Sequence, residues 1–274
     1  RDAEHEEYEL NNTMKLLDGK LISSQIKSEI ATKVQANFLD KGVDPPHIAA
    51  ILVGEDPASQ TYVAAKEKAC REVGFTSSVY RYPDSISEQK LLEVVHFLNN
   101  DEQVDGFIVQ LPLPSHIDEQ KVIESIDPRK DIDGFHPVNL GRMMLGQPCF
   151  LPATPMGIIT LLERTGINTK GKNCVVLGRS HIVGTPISIL MSRKSEPGNA
   201  TVTLCHSYTE DIASISSRAD ILIVAMGKRE FVTAEMVKKD AIVIDVGVHR
   251  IPSDETKSGF RLVGDVRFDE VAGK

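Results

Sequence analysis

A lysine lies in the middle of a predicted apolar helix face. When residues 59–73 are wound as an α-helix, Tyr62, Lys66, Cys70 and Val73 fall on one narrow face. We expect that face, and Lys66 with it, to turn inward. Burial lowers the pKa of an ammonium group, so a lysine placed in this way can exchange protons near neutrality. A lysine that snorkels past its neighbours to solvent fits the same pattern.

A second group of residues has the features of a phosphate-binding turn. The apolar run 173–177 leads into Gly178-Arg179-Ser180, and Gly184 follows. Backbone N–H groups at the start of a helix bind pyrophosphate, and glycine lets the ligand approach closely. Because the spacing is Gly-x-Ser-x-x-x-Gly rather than Gly-x-Gly-x-x-Gly, an ordinary strand-to-helix turn remains the alternative.

The end of the next predicted strand indicates the type of dinucleotide. In dinucleotide-binding domains this strand normally ends in Asp or Glu, which binds the ribose hydroxyls of NAD. Here it is followed by His206-Ser207-Tyr208, without an acid. An acid would repel a 2′-phosphate, whereas Arg179 and a hydroxyl would bind it. We therefore infer NADP rather than NAD, although Ser207 alone also fits a helix N-cap.

The segment Gln110-Leu111-Pro112-Leu113-Pro114 lies at the carboxyl end of a predicted parallel strand, where open α/β sheets build their sites. The two prolines fix the path of the chain as it leaves the strand and could include a cis bond. A strand that simply ends at proline explains the same residues, and spacing alone favours that interpretation.

Asp131 and Asp133 are two carboxylates close together in the sequence. A metal site is not favoured, because no His or third acid follows in ligand-like spacing; a hydrogen-bonding role for one carboxylate is favoured instead. The chain contains neither His-Glu-x-x-His nor Gly-x-Ser-x-Gly, so hydrolases of those types have no support.

Strands and helices alternate along the chain and would position these groups at sheet edges. In the first half, predicted strands at 47–53, 75–82 and 106–110 alternate with predicted helices at 21–41, 59–73, 87–99 and 118–126. In the second half, predicted strands at 173–177, 200–204, 221–225 and 241–246 indicate a doubly wound nucleotide-binding domain. The Pro-, Gly- and Asp-rich segment 127–155 is typical of a crossing between domains.

Composition and charge exclude several classes of protein. A net charge of −8 without a basic block argues against nucleic acid as a partner. No stretch approaches the length of a membrane span, no signal peptide is evident, and the four scattered cysteines are typical of reduced, cytosolic thiols. The sequence therefore predicts a cytoplasmic protein that handles small molecules, with residues 1–13 as a non-native or disordered leader.

Six motifs in one order carry a resemblance to a known family. They are Ser59-x-x-Tyr62-Val-x-x-x-Lys66, Val109-Gln110-Leu-Pro-Leu-Pro114, Lys130-Asp-Ile-Asp133-Gly-Phe, Leu151-Pro-Ala-Thr-Pro155, Gly178-Arg-Ser-x-x-Val-Gly-x-Pro186 and Val263-Gly-Asp-Val266. Together they closely resemble the bifunctional methylenetetrahydrofolate dehydrogenase/methenyltetrahydrofolate cyclohydrolase (FolD) family. The resemblance runs from Leu16 to about Val271.

The resemblance implies a two-domain α/β fold with a cleft between the domains. Residues 14–152 would form the tetrahydrofolate-binding catalytic domain, and residues 153–274 a Rossmann-like NADP-binding domain. The implied activity oxidises 5,10-methylenetetrahydrofolate with NADP and hydrolyses the product to 10-formyltetrahydrofolate, in one-carbon metabolism and purine biosynthesis. A homodimer is also implied.

The resemblance also implies roles for individual residues. Lys66 would be the catalytic lysine, Tyr62 would stack on the substrate ring, Gln110 would tune the lysine and Asp133 would bind the pterin. Leu111 and Pro112 would contact the same substrate. The implied cofactor contacts are Gly178, Arg179, Ser180, Ser207 and Val248.

Two alternatives differ in class from this enzyme. One is another NADP-dependent two-domain dehydrogenase, of the shikimate type, in which Lys66 serves a hydroxyl oxidation. The other is an inactive nucleotide-binding module. That alternative arises because the family has a Pro-Val-Pro-Gly-Gly-Val-Gly-Pro segment beyond the point that corresponds to Lys274.

Overall fold

The computed structural model of the protein describes residues 14–254, 256 and 259–274. The leader predicted at residues 1–13 lies outside these described residues. The chain divides into two compact units, one of residues 18–153 and one of residues 154–274 together with residues 14–17. Each unit is built on a parallel sheet, which confirms the predicted two-domain α/β class.

The first unit has a three-stranded parallel sheet in the order β2-β1-β3. The strands are β1 (His47–Val53), β2 (Thr76–Tyr82) and β3 (Gly106–Val109), and the helices are α1 (Gly19–Asn37), α2 (Pro57–Val73), α3 (Glu88–Asn100), α4 (Glu119–Ser125) and α5 (Pro137–Met144). β1 is the central strand and is buried on both faces, as its continuous apolar run predicts.

The core of this unit forms two layers around the sheet. On one face, Ile51 and Phe107 pack with Leu91 and Leu98 of α3. On the other face, neighbouring strand residues such as Leu52 pack against α2. Because side chains alternate along a strand, both helices pack on the same three strands, and each begins after the carboxyl end of the strand that precedes it.

The second unit has a four-stranded parallel sheet in the order β5-β4-β6-β7. The strands are β4 (Asn173–Leu177), β5 (Thr201–Cys205), β6 (Ile221–Val224) and β7 (Ile242–Asp245), and the helices are α6 (Ala153–Arg164), α7 (Gly184–Ser192), α8 (Ile212–Ser216) and α9 (Phe268–Val271). An antiparallel pair that the sequence analysis did not predict follows, formed by β8 (His249–Pro252) and β9 (Phe260–Val263).

The strand order of the second unit indicates where on its sheet a ligand would bind. β5 lies on one side of β4, whereas β6 and β7 lie on the other side, so the direction of winding reverses between β4 and β6. Open α/β sheets bind their ligands at such a switch point, beyond the carboxyl ends of the strands. The turns after β4 and β6 are therefore the expected walls of a binding crevice. Within the described ranges, no helix combines the length and the apolarity that a membrane span requires.

Candidate active site

The helix that carries Lys66 begins earlier than predicted. Its N-cap is Asp56, whose carboxylate accepts a 2.7 Å hydrogen bond from the backbone N–H of Ser59, and Pro57 occupies the first turn. Hydrogen bonding by the Ser59 N–H lowers the pKa of Asp56. Ser59 is therefore not the N-cap, and the signal for the true start was an acid directly before proline.

Lys66 is exposed rather than buried, so the prediction that it faces inward is wrong. Its side chain is 44% exposed, and Tyr62, one turn earlier, is 51% exposed. The buried side of α2 runs through Val63 and Val73 instead. A helical projection of α2 alone cannot show that Lys66 lies opposite Gln110, the residue directly after β3.

The ammonium group of Lys66 instead meets two oxygen acceptors. Its Nζ lies 3.4 Å from Oε1 of Gln110 and 3.6 Å from Oδ1 of Asp133. Gln110 is fixed in place directly after β3, because its backbone N–H donates to Ile51 O at 2.9 Å. Its side-chain Nε2 donates to Leu111 O at 2.8 Å. The amide oxygen therefore faces the lysine.

Asp133 is the more buried partner of Lys66, with a side chain only 15% exposed. Burial raises the pKa of this carboxyl above its ordinary value of 3.8. The Lys66 ammonium opposes that shift, and the charge of Asp131 adds to it. The cluster thus holds a cation beside a carboxyl group whose pKa is raised, an arrangement suited to moving protons.

Asp131 anchors the turn that presents Asp133. Its buried carboxylate accepts hydrogen bonds from the backbone N–H groups of Gly134 (3.1 Å), Phe135 (3.3 Å) and His136 (2.8 Å) and from the side-chain amide of Asn139 (2.9 Å). These bonds give Asp131 a structural hydrogen-bonding role, and the role of Asp133 in binding substrate stays a prediction. Among the residues that the structure describes, no three His, Cys, Asp or Glu side chains form a group that could hold a metal ion.

The segment after Gln110 contains a cis peptide bond, between Leu111 and Pro112. The two residues continue the chain away from the carboxyl end of β3, beside the Lys66 cluster. The cis bond that the sequence allowed for in this segment is therefore present, and a substrate contact at Leu111 and Pro112 stays a prediction.

The Gly-rich turn after β4 is held by close backbone approaches. Gly178 has a φ of +111°, and a Cβ atom there would overlap the carbonyl oxygen of Ala225. A Cβ atom on Gly184 would overlap the carbonyl oxygen of Gly178. The Ser180 hydroxyl accepts a 3.1 Å hydrogen bond from the Val183 N–H, which fixes the turn. Such a cradle, at the switch point and ahead of α7, fits a dinucleotide pyrophosphate.

Arg179 and the segment after β5 lie at the same edge of the sheet. The guanidinium carbon of Arg179 is 5.9 Å from the ring centroid of Tyr208. Ser207 is exposed. The alternative role of Ser207 as a helix N-cap is wrong, because α8 begins after Asp211, whose carboxylate accepts from Ser214 N–H at 3.2 Å. Ser207 therefore remains available for a ligand, as does Val248, which is exposed after β7.

Asp265, which follows β9, is a fully buried carboxylate to which no role could be assigned from the sequence. It accepts hydrogen bonds from the backbone of Met226 and Gly227 and lies 2.7 Å from Nε2 of His249. No spacing rule brings these distant residues together, and the only signal was that Asp265 lies within one of the family motifs.

Models of a single protein family match both units. The tetrahydrofolate dehydrogenase/cyclohydrolase catalytic domain matches residues 17–133, and the NAD(P)-binding domain of the same family matches residues 152–274. The chain belongs to the tetrahydrofolate dehydrogenase/cyclohydrolase family. The resemblance inferred from the six motifs is confirmed.

Relatives and solved structures agree with this family. The bifunctional protein FolD of Cytophaga hutchinsonii is 61% identical over 261 residues, which are 95% of this chain and 90% of the relative. That of Porphyromonas gingivalis is 59% identical over 265 residues, 97% of this chain and 89% of the relative. The crystal structure of Campylobacter jejuni FolD has a TM-score of 0.88 at 44% identity and covers 96% of this chain and 89% of that one.

A second solved structure of the family contains a cofactor. Trypanosoma brucei FolD, complexed with NADP and an inhibitor, has a TM-score of 0.88 at 35% identity and covers 94% of this chain and 87% of its own. The two alternatives from the sequence, a shikimate-type dehydrogenase and an inactive nucleotide-binding module, are not favoured, because both units and these relatives belong to the tetrahydrofolate dehydrogenase/cyclohydrolase family.

Proposed function

We propose that the protein oxidises 5,10-methylenetetrahydrofolate to 5,10-methenyltetrahydrofolate with NADP and hydrolyses that product to 10-formyltetrahydrofolate. The observation that carries the proposal is the cluster in which the Lys66 Nζ faces Gln110 Oε1 at 3.4 Å and Asp133 Oδ1 at 3.6 Å. It lies in a chain of the matching family.

Oxidation requires positioning rather than proton transfer. One C–H bond of the methylene carbon breaks, and its electron pair leaves with the hydrogen as hydride, which NADP accepts when it is bound. The lone pairs of the two flanking nitrogens stabilise the amidinium cation that remains. The protein therefore needs only to hold the methylene carbon at the right distance and angle for hydride transfer to the cofactor.

Hydrolysis of the cation does require proton transfer. A water oxygen forms a bond to the amidinium carbon, and the water gives up both protons. One proton goes to the ring nitrogen as its bond to that carbon breaks, and the other goes to solvent. Lys66 carries the proton from water towards the ring nitrogen. Gln110 and Asp133 hold its Nζ in place, since each offers it an oxygen.

The substrate contacts follow from the placement of the same cluster. Tyr62 is exposed one turn before Lys66 on α2 and provides an aromatic face on which the pterin stacks. Asp133 hydrogen-bonds the pterin, and Leu111 and Pro112 line the substrate as the chain leaves β3. Residues 14–152 form the folate-binding domain in this proposal.

The cofactor contacts lie in the second domain, residues 153–274 in this proposal. Gly178 and Ser180 receive the pyrophosphate at the start of α7, supported by the steric cradle around Gly178. Arg179 and Ser207 bind the 2′-phosphate, which selects NADP over NAD. Val248 contacts the nicotinamide.

We also propose that the protein is a cytoplasmic homodimer that supplies one-carbon units for purine biosynthesis. The absence of a basic block supports small-molecule substrates rather than nucleic acid. Sedimentation of the purified chain at several concentrations tests the dimer, and a single monomeric species would contradict it.

The central experiment supplies 5,10-methylenetetrahydrofolate and NADP and quantifies NADPH, methenyl- and 10-formyltetrahydrofolate chromatographically. We expect NADPH to appear with a methenyl intermediate that is then converted to the formyl product. Turnover of shikimate, or no turnover of either substrate, would contradict the proposed function.

A further inference from the structure

Asp265 joins two turns that are distant in the sequence. Its Oδ2 accepts hydrogen bonds from the backbone N–H groups of Met226 at 2.7 Å and Gly227 at 2.9 Å. Its Oδ1 accepts a bond from Nε2 of His249 at 2.7 Å. The carboxylate is fully buried, so each of these bonds is made without competition from solvent.

The backbone around Asp265 is itself held by a second carboxylate. Asp245, the last residue of β7, accepts from the N–H of Asp265 at 3.0 Å and of Val266 at 2.9 Å. A side chain on Gly247 would overlap the Asp265 carboxylate. The backbone of Asp265 is therefore held by Asp245 at the end of β7, and its side chain is held by the turn after β6.

The groups that Asp265 holds lie at the ligand edge of the second sheet. Met226 and Gly227 belong to the turn after β6, one of the two strands that flank the switch point. The carbonyl of Ala225, immediately before them, abuts Gly178 of the phosphate-binding turn. His249 directly follows Val248, which the proposed function places at the nicotinamide.

We propose that Asp265 is a positioning residue for the nicotinamide half of NADP, with His249 as its side-chain donor. The carboxylate sets the turn at residues 226–227 and the start of β8 in the geometry that receives the cofactor. The adenosine half binds at the ends of β4 and β5, whereas the side-chain hydrogen bonds described for Asp265 run to Met226, Gly227 and His249. This inference rests on the proposed NADP site and adds two residues to which the family resemblance gave no role.

The test compares binding of whole and half cofactors by calorimetry. Asp265→Asn keeps the shape of the side chain, but it replaces one carboxylate oxygen with an amide that cannot accept. We expect affinity for NADP to fall about tenfold or more, because the turn at residues 226–227 and His249 lose the acceptor that holds them in the binding geometry. Affinity for 2′,5′-ADP should stay within about twofold. Equal loss for both ligands, or no loss for either, would overturn the proposal.

Variants at His249 separate positioning from folding. His249→Ala removes the donor and is expected to weaken NADP binding in the same direction, whereas His249→Asn retains a donor and is expected to restore part of it. The matched control is Asp220→Asn. This carboxylate accepts from Asn173 N–H at 2.9 Å and pairs with Lys238 at 2.5 Å before β6, at the opposite edge of the same sheet. The Asp220→Asn substitution should lower the melting temperature without changing the ratio of NADP affinity to 2′,5′-ADP affinity.

The two reactions of the protein provide an independent readout. Hydrolysis of methenyltetrahydrofolate needs no NADP, so Asp265→Asn should raise the KM for NADP in oxidation and leave hydrolysis within about twofold of wild type. A parallel fall in both activities would show a structural role alone. If the wild type binds NADP but turns over no folate, the proposed function fails, while the calorimetric comparison still decides the role of Asp265.

Discussion

The side-chain amide of Asn139 donates to Oδ2 of Asp131 at 2.9 Å, and both side chains are buried. The same amide donates to the carbonyl of Pro128 at 2.9 Å. One residue of α5 thus holds the chain at Pro128 and at Asp131, and Asp131 in turn anchors the turn that carries Asp133.

Asn139→Ala should therefore destabilise the protein and disturb hydrolysis. The substitution leaves the buried Asp131 carboxylate and the partly buried Pro128 carbonyl short of a donor, which costs about 1–3 kcal/mol of unfolding free energy. Urea unfolding measures the loss. Asn100→Ala is the matched control, because its amide bonds His96 O on an exposed helix surface and its removal should change stability by less than about 0.5 kcal/mol. Equal losses from both variants would contradict the anchoring role.

Lys66→Met should separate the two activities. Methionine keeps most of the side-chain length but can neither carry a proton nor donate to Gln110 and Asp133. We expect hydrolysis to fall by about 100-fold or more, the range of general acid–base catalysis, and oxidation to fall by less than about tenfold. Lys68→Met on the outer face of α2 is the control and should leave both rates unchanged. A Lys66 variant that folds normally and loses both activities equally would refute the separate roles.

Arg179→Ala should change cofactor preference. A charged hydrogen bond to a phosphate contributes about 1.5–3 kcal/mol, so KM for NADP should rise by roughly 10- to 100-fold while KM for NAD hardly changes. Arg218→Ala, at the other edge of the sheet, should affect neither value. A uniform effect of Arg179→Ala on both cofactors would remove the 2′-phosphate assignment.

Asp133 should make the protein less stable as pH rises. Burial raises the pKa of its carboxyl above 3.8, so the folded state holds this proton more tightly than the unfolded state does. Stability from this group is present below pH 3.8 and is lost as pH rises through the folded pKa. Asp133→Asn should therefore match the wild type at low pH and exceed it at neutral pH in urea unfolding. A wild type that is the more stable at neutral pH would contradict this sign.

Asp127 provides the opposite case in the same domain. The Arg129 side chain is the main cause that lowers the pKa of Asp127 to about 2. Stability from this group is present above pH 3.8 and is lost as pH falls through about 2. Asp127→Asn should therefore be the less stable form at neutral pH and approach the wild type in strong acid.

The fold could be predicted from the sequence where local pattern and packing agree. β1 was predicted with its observed ends, because a run buried on both faces is apolar throughout. The pair β8 and β9 was missed, since its short strands are charged and largely exposed. The start of α2 was misplaced because Ser59 was preferred to an acid before proline.

The site was harder to predict than the fold. The residues of the Lys66 cluster were named from motifs, but the orientation of Lys66 was wrong, because a helical projection contains no information on where the neighbouring strand ends. Asp265 and His249 could not be paired from the sequence, since their contact depends on a hairpin that was not foreseen.

The close fit between Gly178 and the carbonyl of Ala225 links two turns on neighbouring strands of the second sheet. Neither loop can lengthen or gain a bulky residue at this contact unless the other changes with it. Redesign of cofactor preference must therefore start at outlying positions such as Arg179 and Ser207, where side chains can be exchanged one at a time. The contact between Gly178 and Ala225 therefore restricts single substitutions to the part of the cofactor site around Arg179 and Ser207.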